Sequence, residues 1–150
     1  MEQGSIRETE AIPYFEIRTG RKVKPVGFIM ADNGRMGCSP DGLLENGGLE
    51  VKCPAPHTQV RYLLDGGVPP EYLAQVQGSL YVTGLSTWTF LAFCPEFPPL
   101  IVETHPIPEA LATIGQALEA FCQRLDAGFE QLKAMYGDIP PCDDIETLGF

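Results

Sequence analysis

Ser39-Pro40-Asp41-Gly42-Leu43-Leu44-Glu45-Asn46-Gly47-Gly48-Leu49-Glu50-Val51-Lys52-Cys53-Pro54 is the stretch from which the fold is read. Glu45-Asn46-Gly47-Gly48 is a turn signal, and residues 48–53 after it have strand character. Side chains two apart on a strand share a face, so Glu50 and Lys52 point the same way, roughly 7 Å apart, while Val51 faces the core. Asp41 sits at a turn upstream, and a hairpin brings it beside Glu50. Two neighbouring carboxylates repel each other unless a cation neutralises them. A hard cation such as Mg²⁺ binds carboxylate oxygens and keeps waters for a phosphate substrate. In that setting a metal polarises the phosphoryl oxygen and generates hydroxide, and a neighbouring lysine holds the attacking water or steadies the developing charge. The plain alternative is an exposed strand ion pair between Glu50 and Lys52, worth only ~0–1 kcal/mol.

Working outward, residues 3–18 read as a helix closed by Gly20, with Pro13 expected to kink or restart it. Residues 24–30 and 35–38 are short β runs separated by Asp32-Asn33-Gly34, and with residues 48–53 they predict an antiparallel meander. Residues 57–64 form a short helix closed by Gly66-Gly67. Pro69-Pro70 opens a stronger helix over 71–82, ended by Gly84. Its apolar stripe is Leu73, Val76 and Leu80, beside a polar face of Tyr72, Gln75 and Ser79. Residues 87–93 and 100–104 are β-rich. Leu111, Ile114, Leu118, Phe121, Leu125, Phe129, Leu132 and Tyr136 recur every three or four residues in one long helix over 108–136, either core-facing or a subunit contact. The fold class is α/β bordering on α+β: a central mixed sheet flanked by helices, with a long C-terminal helix.

A chain of 150 residues, 44% hydrophobic and 20% charged, can bury a core without metal or disulfide staples and is not wholesale disordered. The five cysteines are odd in number and include no C-x-x-C, which argues for buried thiols over a zinc or iron–sulfur site. No apolar run approaches the ~18 residues of a membrane span, and the N-terminus lacks a secretory pattern, so a cytoplasmic protein is expected. The net charge is −10. Residues 1–61 hold eight basic and eight acidic groups, whereas residues 62–150 hold only Arg124 and Lys133 against twelve acids. That balance excludes a general polyanion binder and requires local cations or metal at any nucleic-acid contact.

Asp41, eight intervening residues, then Glu50-Val51-Lys52 resembles the motif of the PD-(D/E)XK nuclease superfamily. The fuller string SPDGLL and GLEVKCP, followed by YLAQVQGSLYVTG and WTFLAFCP, closely resembles the phage lambda exonuclease, or YqaJ-type viral recombinase, family. The resemblance runs from about Gly4 into the long C-terminal helix. It implies a restriction-endonuclease-like core in which Asp41, Glu50 and the carbonyl of Val51 bind catalytic metal, and Lys52 assists the attacking water. It also places Gln75 near the metal, with Gln77 a neighbour only, and Glu8 touching the cluster through water, with Glu10 as the near alternative. Arg21, Lys22 and His57 are weaker candidates for DNA backbone contacts; a solvated hairpin and an ordinary helix start are the competing readings.

The resemblance implies a Mg²⁺-dependent exodeoxyribonuclease, using two ions with Mn²⁺ as a substitute. It would act 5′→3′ on double-stranded DNA ends in phage recombination. The implied partners are a single-strand annealing recombinase and two further copies in a homotrimeric ring, in the cytoplasm of a bacterial host and with no membrane. Ile12-Pro13 departs from the family, which commonly has arginine after the alanine. The expected organisation is one nuclease domain over residues 1–137, without the family's upstream segment that grips a 5′-phosphate, and a flexible acidic tail over 138–150. Two rival readings stand beside it: a truncated, catalytically impaired relative that binds DNA or a recombinase partner, with the tail as a docking peptide, and an endonuclease on the same fold.

Overall fold

The structure, a computed structural model, describes residues 2–138, with side chains from residue 10 onward. The elements run α1 (Glu2–Thr19), β1 (Ile29–Met30), β2 (Gly37–Cys38), β3 (Gly42–Leu44), β4 (Gly47–Lys52), α2 (Pro56–Asp65), α3 (Pro70–Thr83), β5 (Trp88–Ala92), β6 (Leu100–Thr104) and α4 (Pro108–Tyr136). One compact unit extends to Gly115 and a second begins at Gln116. The acidic tail beyond Asp138 lies outside the described residues.

The main sheet has the order β3-β4-β5-β6. Strands β3 and β4 are an antiparallel hairpin, β4 and β5 are parallel, and β5 and β6 are antiparallel. Parallel neighbours need a crossover, and α2 and α3 supply it. This corrects the expected three-strand meander. Among the described residues strands β1 and β2 pair only with each other, and the antiparallel partner of β4 is β3, a segment that reads as turn. Three residues following Pro40-Asp41 are too few for alternation to declare a strand.

Each face of the sheet has its own core. Ala11 and Phe15 of α1 pack on Leu44, Leu49, Val51, Leu91 and Phe93. Tyr62, Val76 and Leu80 of α2 and α3 pack on Trp88, Phe90, Ala92 and Leu100. With both faces covered, β4 is buried along nearly its whole length, and burying its apolar side chains stabilises the sheet by about 1.5–3 kcal/mol each. Gly47 and Gly48 allow β4 to approach β5: a Cβ on Gly47 would sit 2.6 Å from the main-chain oxygen of Thr87, and one on Gly48 would run into the Trp88 ring. Helices α2 and α3 end at Gly66 and Gly84, whose φ of 70° and 66° permit the left-handed cap.

Two buried amides fix the crossover helices. Gln59 donates to the carbonyls of Ala92 and Pro98. Gln77 donates to His105 O at 2.9 Å and accepts from Ile107 N at 2.8 Å, which ties α3 to the β6–α4 connection.

Pro13 does not restart α1; the helix runs through it and gives up one ladder bond. The core-facing expectation for α4 fails in part. Leu111 packs on the core, whereas Phe121, Leu125, Phe129, Leu132 and Tyr136 are all exposed. Leu111 belongs to the first unit, and the five exposed residues of this 29-residue helix belong to the second. Among the described residues Cys38, Cys53, Cys94 and Cys122 are thiols, and no helix is long and apolar enough to cross a membrane.

Candidate active site

Strand β4 brings the site together. Leu49 and Val51 point into the α1 core, so alternation turns Glu50 and Lys52 toward α3. Lys52 Nζ lies 2.5 Å from Glu50 Oε1. Gln75, reaching over from α3, donates to the same oxygen at 2.7 Å. Asp41 sits just before β3, with its amide bonded to Leu49 O at 3.1 Å. Its side-chain Oδ2 accepts from Val51 N at 2.6 Å. Backbone N–H and C=O of one strand residue point to the same side, so the Val51 carbonyl also faces the Asp41 edge. Consistent with that alternation, Lys52 O turns the other way and accepts from Phe93 N of the β5 side.

Glu50 is only 3% exposed. Burial pushes its carboxyl above the ordinary carboxylate value; the Lys52 ammonium opposes the rise, and the Asp41 charge adds to it. A buried carboxylate is tolerated only when paired and hydrogen-bonded, and Lys52 and Gln75 meet that condition on Oε1. Two acids against one ammonium still leave an excess of negative charge. Among the described residues no three His, Cys, Asp or Glu side chains gather around one point. The oxygens that these described residues offer to a cation are those of the two carboxylates and the Val51 carbonyl. These are hard oxygen donors and fit a hard divalent ion that keeps part of its water shell.

Cys38 borders the site and is not evident as a participant from sequence. Burial pushes its thiol up, Ser79 hydrogen-bonds to it, and the Glu50 charge adds to the rise. Its register partner is Ile29, so the β1–β2 ribbon presents it beside α3. The signal available in the sequence was its place three residues before Asp41. Tyr72 is a second such neighbour: Lys52 Nζ lies 5.1 Å from its ring centroid. Its spacing from Gln75 and Ser79 had marked that face of the helix.

Glu8 is in α1, but its side chain is outside the described residues; Glu10 is exposed. His57 is exposed in the first turn of α2. Arg21 pairs with Glu103 at 3.4 Å and Lys22 with Glu16 at 3.2 Å. Both line a polar hollow with Glu45 and Asn46 at the β3–β4 turn, roughly 17 Å along β4 from Lys52 by the rise of a strand.

Residues 1–86 match the model of the YqaJ-like viral recombinase domain. The fold is similar to the crystal structure of an alkaline exonuclease (LHK-Exo) from Laribacter hongkongensis, with TM-score 0.83 and 30% identity over 90% of this chain and 73% of that one. The structure of LHK-Exo in complex with dAMP gives TM-score 0.82 at 30% identity, over 90% of this chain and 72% of that one. No curated protein matches the chain.

Proposed function

The chain belongs to the YqaJ-like viral recombinase family, and from that premise we propose that it is a metal-dependent deoxyribonuclease that degrades double-stranded DNA 5′→3′ from its ends in phage-type homologous recombination. Family membership and the likeness to an alkaline exonuclease support a nuclease. The observation that carries the reading is the convergence of Lys52 and Gln75 on one oxygen of a buried Glu50, with Asp41 against the same strand.

Asp41, Glu50 and the Val51 carbonyl would hold Mg²⁺, as a pair of ions, with Mn²⁺ able to replace it. When bound, the metal supplies polarisation of the phosphoryl oxygen and a water of lowered pKa. The Lys52 ammonium holds the attacking water and sets positive charge where negative charge gathers on the phosphorus oxygens. Gln75 fixes Glu50 through Oε1, leaving Oε2 as the oxygen that takes neither Lys52 nor Gln75. The Val51 amide orients Asp41 in the same way through Oδ2. On this reading the working assembly is a homotrimeric ring around the duplex, handing the resected strand to a single-strand annealing recombinase in the cytoplasm of a bacterial host.

The test is release of nucleotides from an end-labelled linear duplex with Mg²⁺. Asp41→Ala and Lys52→Ala are each expected to abolish release while circular dichroism stays native. Undiminished release by both variants would remove the assignment. Duplexes labelled at the 5′ or the 3′ end report polarity, and cleavage of closed circular DNA would reassign the activity to an endonuclease.

A further inference from the structure

We propose that Tyr72 is a positioning residue for Lys52, its ring holding the ammonium group against Glu50, and that the Tyr62–Glu71 hydrogen bond holds the ring in turn. The inference rests on the nuclease reading above and adds residues that carry no metal. Lys52 ends a flexible four-carbon stem, and its side chain keeps 26% of its exposure. The Glu50 contact alone leaves such a stem several rotamers. The Tyr72 ring, 5.1 Å from Nζ, narrows that set, and the attraction of an ammonium to an aromatic face strengthens where water is excluded. Tyr72 lies three residues before Gln75, so the ring and the amide project from the same face of α3 toward the Glu50–Lys52 pair.

The ring is itself fixed from two sides. Phe90 of β5 lies against it with centroids 5.4 Å apart, and Tyr62 of α2 meets it edge-on at 6.3 Å and 83°. Tyr62 is 3% exposed, and its hydroxyl donates to Glu71 Oε1 at 2.8 Å. Arg61 reaches the same oxygen at 3.0 Å and covers the Tyr62 ring. Glu71 immediately precedes Tyr72, so this bond pins the first turn of α3 at the point where the ring departs. A continuous set of contacts thus runs from Arg61 at the surface to the ammonium of Lys52.

The experiment compares Tyr72→Leu, Tyr72→Phe and Tyr62→Phe in two readouts. In Mg²⁺-dependent DNA degradation, Tyr72→Leu is expected to lower kcat about tenfold with KM changed less than twofold. Tyr72→Phe, which keeps an aromatic face, restores most of that loss, and Tyr62→Phe lowers kcat about threefold. In metal-free protein labelled with ¹³C-lysine, the chain has four lysines. The ε-methylene signal of Lys52, assigned with Lys52→Arg, should be shifted upfield by the ring. That shift should vanish in Tyr72→Leu and persist in Tyr72→Phe. A Lys52 signal unmoved in Tyr72→Leu overturns the proposal, and so does a Tyr72→Phe variant as slow as Tyr72→Leu. Should Tyr72→Leu not fold, Tyr62→Phe, which removes a single hydroxyl and leaves the Tyr72 ring, should still lower kcat and weaken the Lys52 shift, and wild-type values in both readouts overturn the proposal. A wild-type protein that releases no nucleotide would sink the nuclease reading, while the lysine signal still decides whether the ring holds the ammonium.

Discussion

The two ends of the β3–β4 hairpin treat charge in opposite ways. At the turn end, Arg21 and Lys22 pair with Glu103 and Glu16 in the open, with Lys22 85% exposed. The buried contacts there are the close approach of Gly47 to the main chain of Thr87 and of Gly48 to the Trp88 ring. At the other end, Glu50 is withdrawn from water while its ammonium and amide partners reach it from more open positions, and Asp41 is fixed by a backbone amide. Burying charge is unfavourable unless every partner is in place. A strand that arranges it at one end and avoids it at the other separates chemistry from packing within six residues.

Substitutions at the two ends can break that contrast. The largest loss of stability is expected at the turn. Gly47→Val should lower the free energy of unfolding by about 3 kcal/mol, because the new side chain meets the main chain of Thr87, which cannot yield. Urea denaturation measures it, and a midpoint close to wild type would mean that β4 and β5 are not in close approach. Lys52→Met comes next. It leaves Glu50 buried beside Asp41 without a cation, at about 2 kcal/mol after allowing for the partial exposure of the lysine. It should also abolish nucleotide release, an effect that Gly47→Val cannot reproduce in whatever fraction stays folded.

A smaller effect follows from Glu50. Its folded pKa lies above the ordinary 4.5, so the stability it contributes is present below that value and is lost as pH rises through the folded pKa. The metal-free protein should therefore melt at progressively lower temperature from about pH 5 upward, and Glu50→Gln should flatten that slope. Equal slopes in wild type and variant would show that Glu50 is not held in a desolvated site. Arg21→Ala should have the smallest effect, within ~1 kcal/mol in stability, since a half-exposed pair is screened by solvent. A large loss of DNA cleavage in that variant would contradict the contrast and make the turn end part of the substrate surface.

The sequence made the charged end legible for a physical reason. Glu50 and Lys52 sit at period two around an apolar Val51, and a turn rich in glycine fixes the hairpin that returns Asp41 to them. The glycine stops at Gly20, Gly66 and Gly84 were equally readable, because each takes a positive φ. What was hidden depended on partners distant in the chain. Strand β3 is too short to alternate, and only pairing with β4 makes it a strand. The stripe on α4 repeats like a core stripe from end to end, yet periodicity says nothing about whether a surface exists to receive Phe121 or Leu125. Arg21 and Lys22 are cationic in sequence, but nothing local records that Glu103 and Glu16 answer them. Tyr72 reads as one polar position on a helix, and its place beside Lys52 exists only once the crossover is complete.

The parallel pairing of β4 with β5 also has a bearing on when the protein acquires its chemistry. Glu50 and Phe90 are register partners about 40 residues apart, so this pair closes only after the intervening helices have formed, a non-local and hence slow event. A chain made only as far as Lys52 can hold these three groups on the local β3–β4 hairpin, but it lacks Gln75 and the β5 strand that hold Glu50 from the other side. Nascent chains shorter than roughly the end of β5 therefore carry the motif intact but without the sheet in which Glu50 is buried.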